Sequence, residues 1–187
     1  ADDWRKTVLA RVTTRAGDQG YTGLLGSGRV PKYDDRIEAL GLIDEATSAL
    51  GLARASTNEE RARQLILQWQ TMLYHVMAEV AATPDAAPKL NLRRVEEADL
   101  ADLERASEDL KREVEIGNRF IIPGESFPGA ALDLARTVIR RAERHVARMT
   151  HRGEVTNPDV LRYLNRLSDA VFILARYVER DHRREVS

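Results

Sequence analysis

Cysteine is absent from all 187 residues, which rules out any thiolate-ligated metal site and fits a reducing, cytosolic setting. No window offers eighteen uncharged apolar residues, so no bilayer-spanning helix is expected. The opening stretch ADDWRKTVLARV has no apolar core of signal-peptide length. Period-two alternation is confined to a short extended piece around Val8–Val12, so no sheet is expected to organise the fold. Lysine is scarce: only Lys6, Lys32, Lys89 and Lys111 among 29 basic residues. The rest are arginines, whose planar, permanently charged fork suits phosphate and carboxylate, although a GC-rich genome produces the same bias. Net charge is −1 and aromatics are 5%, which argues against wholesale polyanion binding.

Apolar residues at 43% and charged residues at 32% describe a globular chain, not a disordered or fibrous one. The length suits one domain over 1–187 with a substantial core, and the ends, 1–12 and 182–187, are expected to be flexible. Helical periodicity begins at Asp34 and predicts a first helix to about Ala55. A second helix starts at an N-cap on Thr57 or Asn58 and stops before Pro84. The linker TPDAAPKLN follows, then a charged outer helix from about Leu92 to Ile116. RFIIPGESFPG, with its prolines and glycines, is expected to be an apolar loop. The last two helices are expected over about 130–151 and, from an Asn157 cap with Pro158 at the first helical position, to about Asp181. The expected class is all-α: a five-helix bundle with a four-helix core and an extended glycine-rich N-terminal loop.

Two stretches carry chemistry. In LARTVIRRAERHVARMTHR, Arg136, Arg140, Arg144 and Arg148 recur every four residues and form one stripe, with Arg141 and Arg152 beside it and only Glu143 as a local offset. Like charges at that spacing repel, so acids from another helix or subunit, or a bound anion, must compensate. A solvated face with interhelical ion pairs is the plain alternative. On the last helix Asn165, Asp169 and Phe172 interrupt an apolar register of Leu161, Leu164, Leu167 and Val171. The second stretch is the loop from Arg11 to Lys32, whose glycines, Thr14, Thr22 and Ser27, with Arg15, Arg29 and Lys32, supply donors for phosphate oxygens. It matches neither the Walker nor the dinucleotide pattern, and an ordinary flexible loop has the same composition. His75, His145, His151 and His182 do not converge, so they read as surface or packing residues and no resident metal is expected.

Together these blocks resemble the PduO-type ATP:cob(I)alamin adenosyltransferases. The resemblance runs through TTRAGDQGYTGL, RVPKYDDRIEALGLIDE, FIIPGES, ARTVIRRAER and YLNRLSDAVFILAR, in the family's order, from about Thr13 to Arg176. It implies transfer of the 5′-deoxyadenosyl group of ATP to the cobalt of cob(I)alamin, giving adenosylcobalamin and triphosphate. It also implies a homotrimer with sites at subunit interfaces, and ATP arriving with Mg²⁺. A flavin-type reductase and a B12-dependent mutase are the implied partners, with neither nucleic acid nor membrane.

By the same resemblance Thr14, Arg15, Ala16, Gly17, Thr22, Gly23 and Lys32 line ATP, together with Arg140, Arg141, Glu143, Arg144 and Asn165. Phe120 and Phe172 wall the corrin, Phe120 excluding the lower cobalt ligand; core packing is the alternative for Phe120. Asp44 is expected to pair across the interface with Arg136. Arg140, Arg136 and Asp44 are thus the expected catalytic set. Three departures stand out: Ala16 where a hydroxyl is usual, Glu125 where a glycine is usual, and DEATS in place of DELNS. The first two leave room for a catalytically weak carrier or sensor of the same fold. Another ATP-dependent transferase has no acceptor signature, and a nucleic-acid-binding bundle is disfavoured by charge.

Overall fold

The computed structural model describes residues 13, 15–26, 28–117 and 120–181. Five α-helices occur among them: α1 (Asp35–Ser56), α2 (Glu60–Ala81), α3 (Glu97–Lys111), α4 (Phe127–His151) and α5 (Pro158–Val178). Helix α1 packs on α2 and α4, and α5 packs on α4 and α2, closing a four-helix core. Helix α3 leans on the outside of α5. The core is aliphatic, with Ile43, Leu50, Ile66, Leu73, Ile139, Val146, Leu164 and Leu174 fully buried. Removing that apolar surface from water is the main term holding the bundle together. Among the described residues no helix is long and apolar enough to cross a membrane.

The helix ends follow local chemistry. The Asp34 carboxylate accepts from the Arg36 N–H at the start of α1, and the Asn157 side chain accepts from the Asp159 N–H at the start of α5. Helix α2 begins at a Glu59 cap, not at Thr57 or Asn58; the Thr57 hydroxyl instead accepts from the Glu59 N–H at 3.1 Å. Helix α3 is shorter than the 92–116 its pattern predicts. A capping box between Glu96 and Asp99 starts it, and the preceding Val95 is buried with its N–H on the Glu79 carboxylate.

Helix α4 starts earlier than expected, because Ser126 caps the Gly129 N–H at 3.1 Å and Pro128 sits in the first turn, where a missing N–H costs nothing. Part of the predicted loop is therefore helix. A small antiparallel hairpin, β1 (Tyr21–Gly23) with β2 (Arg29–Pro31), stands inside the glycine-rich stretch, where no strand was expected. The extended piece expected at 8–12 lies outside the described residues, as do both expected flexible ends.

Arg36, 7% exposed, ties one end of the bundle together. Its guanidinium donates to the carbonyls of Val80 at 2.7 Å, Ala82 at 3.2 Å and Glu154. It thus satisfies the open carbonyls at the end of α2 and holds the turn between α4 and α5 against them.

Candidate nucleotide and corrinoid site

The glycine-rich loop is folded on itself and anchored. The Leu25 N–H donates to the Ala81 carbonyl at 3.1 Å, and the Thr83 N–H to the Leu25 carbonyl at 3.2 Å, which seats the loop on the end of α2. Within it the Arg29 guanidinium donates to the carbonyls of Ala16 and Tyr21, the latter at 2.7 Å. The Lys32 N–H donates to the Gly20 carbonyl at 2.8 Å. The Lys32 ammonium lies over Gly17: a Cβ there would meet Nζ at 2.9 Å. Arg15 adopts φ 60 and Gly20 φ 79, and these left-handed conformations bend the loop through its tight turns, closed by Asp18 N–H to the Arg15 carbonyl and Gly20 N–H to the Gly17 carbonyl. Arg15, Ala16, Gly17, Thr22, Gly23 and Lys32 therefore share one compact feature. Thr14 and Ser27 lie outside the described residues.

The arginine stripe resolves into three sides. Arg141 pairs with Glu45 on α1. Arg148 at 3.6 Å and Arg152 at 2.6 Å share Asp35, whose carbonyl also meets His145 Nε2 at 2.9 Å. Toward α5, the Asn165 amide donates to Glu143 at 2.9 Å. Arg140 and Arg144 point outward between these sides, and neither has a carboxylate within 4 Å among the described residues. The Arg144 guanidinium donates only to the Arg140 carbonyl, at 3.0 Å. The antiparallel register that joins Glu143 to Asn165 sets exposed Asp169 level with Arg140, but not in ion-pair contact. Intrachain acids thus neutralise most of the stripe and leave two adjacent cations open.

Phe120 is 97% exposed, so core packing does not explain it. Phe172, half-buried on α5, is flanked by two guanidiniums: Arg136 at 5.9 Å and Arg176 at 5.2 Å from the ring centroid. Asp44 is exposed on the outer face of α1, in a shallow apolar concavity with Ile37, Leu40, Met77 and Ala81. It does not meet Arg136 within the chain; the carboxylate nearest Arg136 is Asp133, at 3.8 Å.

Two sets of expected site residues stand apart in one chain. The loop sits where α1 begins and α4 ends, whereas Phe120 and Arg136 belong to the start of α4, a helix ~37 Å long. Along α4, Arg140 is about 12 Å from Arg148 and about 18 Å from Arg152, both of which meet Asp35 just after the loop.

Sequence reading missed a buried cluster beside Phe172. Asp133, Arg176 and Glu179 are 3%, 2% and 1% exposed, and Arg176 bridges to Asp133 at 2.5 Å and Glu179 at 3.1 Å. The i,i+3 spacings of Asp133 with Arg136 and of Arg176 with Glu179 were visible, but their burial was not. Glu79 was missed as well; its carboxylate gathers Val95, Asn157 and Arg94 at the linker. Among the described residues no group of three His, Cys, Asp or Glu could hold a metal ion.

An open arginine pair on a helix bundle, beside an anchored glycine-rich loop, is an arrangement whose charge and donors suit a polyanion. Residues 12–178 match the family described as cobalamin adenosyltransferase, and the chain belongs to that family. A corrinoid adenosyltransferase of Citrobacter freundii is 38% identical over 91% of this chain and 96% of its own length. A second protein of that organism, corrinoid adenosyltransferase PduO, is 35% identical over 91% of this chain, which spans about half (50%) of its length. Among solved structures, a PduO-type ATP:corrinoid adenosyltransferase from Lactobacillus reuteri is 30% identical, with a TM-score of 0.82 over 93% of each chain. That protein is a phenylalanine-to-histidine variant complexed with cobalamin and ATP.

Proposed function

We propose that this chain, as a single domain, transfers the 5′-deoxyadenosyl group of ATP to the cobalt of cob(I)alamin. Cob(I)alamin is itself the nucleophile: a Co–C bond forms at C5′, the C5′–O bond breaks, and its electron pair leaves with inorganic triphosphate. No Ser, Cys or His attacker is required. The protein's work is to hold the two substrates in line and to stabilise the leaving polyanion. The observation that carries this reading is the pair Arg140 and Arg144, left open in a stripe whose other arginines are neutralised.

Arg140, Arg144 and Lys32, with backbone donors from Arg15 to Gly23, hold the triphosphate, which arrives with its own Mg²⁺. Arg141, held by Glu45, and the Glu143–Asn165 pair frame the nucleoside side. Thr14 is assigned to the same site. Phe120, exposed and close in sequence to the α4 cap, and Phe172 wall the corrin, while Arg136 and Asp44 complete it across an interface. That Asp44 does not meet Arg136 within the chain supports a site built from two copies, and the homotrimer is what the family resemblance implies. A flavin-type reductase supplies the electron that makes Co(I), and a B12-dependent mutase takes the product. The setting is cytoplasmic.

An anaerobic assay with ATP and chemically reduced cobalamin tests this reading. The Co(I) absorption should disappear as adenosylcobalamin and triphosphate form. Arg140→Ala should lower turnover by about 10²-fold or more with the helical fold intact; wild-type rates in that variant would contradict the assignment. Tight binding of both substrates without turnover by the wild type would favour the carrier that Ala16 and Glu125 leave room for.

A further inference from the structure

The buried cluster beside Phe172 has no role in the reading above. It holds two carboxylates and two guanidiniums, at a net charge of zero, in the packing between the start of α4 and the end of α5. Arg176 is clasped by Asp133 and Glu179, and Asp133 also faces Arg136 at 3.8 Å. The Nε atoms of both arginines are buried without a hydrogen-bond acceptor. Both guanidiniums flank the Phe172 ring. At the other end of the cluster the Glu179 carboxylate packs on Gly129, where an added Cβ would come within 1.9 Å of Oε1. Gly129 lies in the first turn of α4, directly after the loop that carries Phe120 and Glu125.

A buried ion cluster is weak evidence for stability, since apolar residues of similar volume commonly do as well. Geometry gives this one another use. It joins three groups that rigid packing alone would leave independent: the Phe172 ring, the Arg136 guanidinium and the first turn of α4.

We infer that Asp133, Arg176 and Glu179 are positioning residues, which set Arg136 and Phe172 for the corrinoid and leave the nucleotide half of the site untouched. The inference rests on the functional reading above. Asp133 faces Arg136 at 3.8 Å without hydrogen-bonding Nε, so Arg136 is steered but still able to engage a second carboxylate. Arg176, fixed from both sides, holds the ring one helical turn before it.

The test is steady-state kinetics, varying each substrate separately, on the assembled protein and on Asp133→Asn, Arg176→Lys and Gly129→Ala. The first two change the cluster's charge or fork at nearly constant volume. The third acts from the far end by displacing Glu179. Each variant that folds should raise KM for cobalamin about tenfold and change KM for ATP less than twofold. Asp133→Glu should recover part of the loss.

A fall in melting temperature with both KM values unchanged would make the cluster structural and overturn the inference, as would equal shifts in both. If Asp133→Asn does not fold, Arg176→Lys and Gly129→Ala decide. No conversion by the wild type would overturn the functional reading and this inference with it. Conversion by the wild type with an unchanged ratio of KM values in the variants overturns this inference alone.

Discussion

At the residue scale, the difference between a paired and an open arginine decides what this chain can do. Arg141, Arg148 and Arg152 have carboxylate partners on α1, whereas Arg140 and Arg144 have none within 4 Å among the described residues. The spacing made the stripe legible, but it did not say which members are neutralised, because Asp35 and Glu45 lie about a hundred residues away. Arg36 is the opposite case, a buried cation spent wholly on backbone carbonyls. Replacing it by alanine strands three acceptors and should cost about 2–4 kcal/mol. Thermal unfolding should show a fall of roughly 5–15 °C; an unchanged midpoint would mean that water replaces those contacts without loss.

At the scale of elements, caps decide where helices begin, and they explain where pattern reading slipped. Apolar spacing from Leu92 onward is compatible with a helix, but the capping box of Glu96 and Asp99 sets the start, and the residues before it run extended to reach Glu79. Pro128 and Gly129 read as loop residues, yet behind the Ser126 cap they form the first turn of α4. Ser126→Ala should cost about 1 kcal/mol, measurable by urea titration, with the loss confined to stability if the cap is all that Ser126 provides.

Asp99 allows a test by pH. Burial pushes its carboxyl up, but hydrogen bonds from Arg93 and the Glu96 N–H outweigh that and hold it below the ordinary carboxylate range. A depressed folded value means stability that is fully present above the unfolded value of about 3.9 and lost as pH falls through the lower folded one. The gap in melting temperature between wild type and Asp99→Asn should therefore be open at pH 6 and should close toward pH 2–3. A gap independent of pH would remove the charge from the argument.

At the scale of the whole molecule, the expected nucleotide loop lies at the C-terminal end of α4 and Arg140 lies mid-helix, and the proposed site takes one from each of two copies. Shared sites predict complementation. Lys32→Ala and Arg140→Ala chains, each inactive alone, should regain activity when refolded as a mixture, approaching ~25% of wild type under random assembly. No recovery would place both residues in the same chain's site. Sedimentation should give a mass near that of three 21.1 kDa chains. Asp44→Ala should shift the protein toward smaller species, because it removes the carboxylate from the apolar concavity that Ile37, Leu40, Met77 and Ala81 form between α1 and α2.

Periodicity and capping residues determined the helix count, the all-α class and the outer place of α3, because those signals act within a few turns of chain. Motif spacing named the arginine stripe and the glycine-rich loop for the same reason. Tertiary structure decided which arginines stay open, that Phe120 faces solvent, and that Asp133, Arg176 and Glu179 form a buried cluster behind Phe172. Those outcomes depend on carboxylates brought from distant helices into a low-dielectric interior, and a charge in sequence looks the same whether folding will bury it or leave it in water.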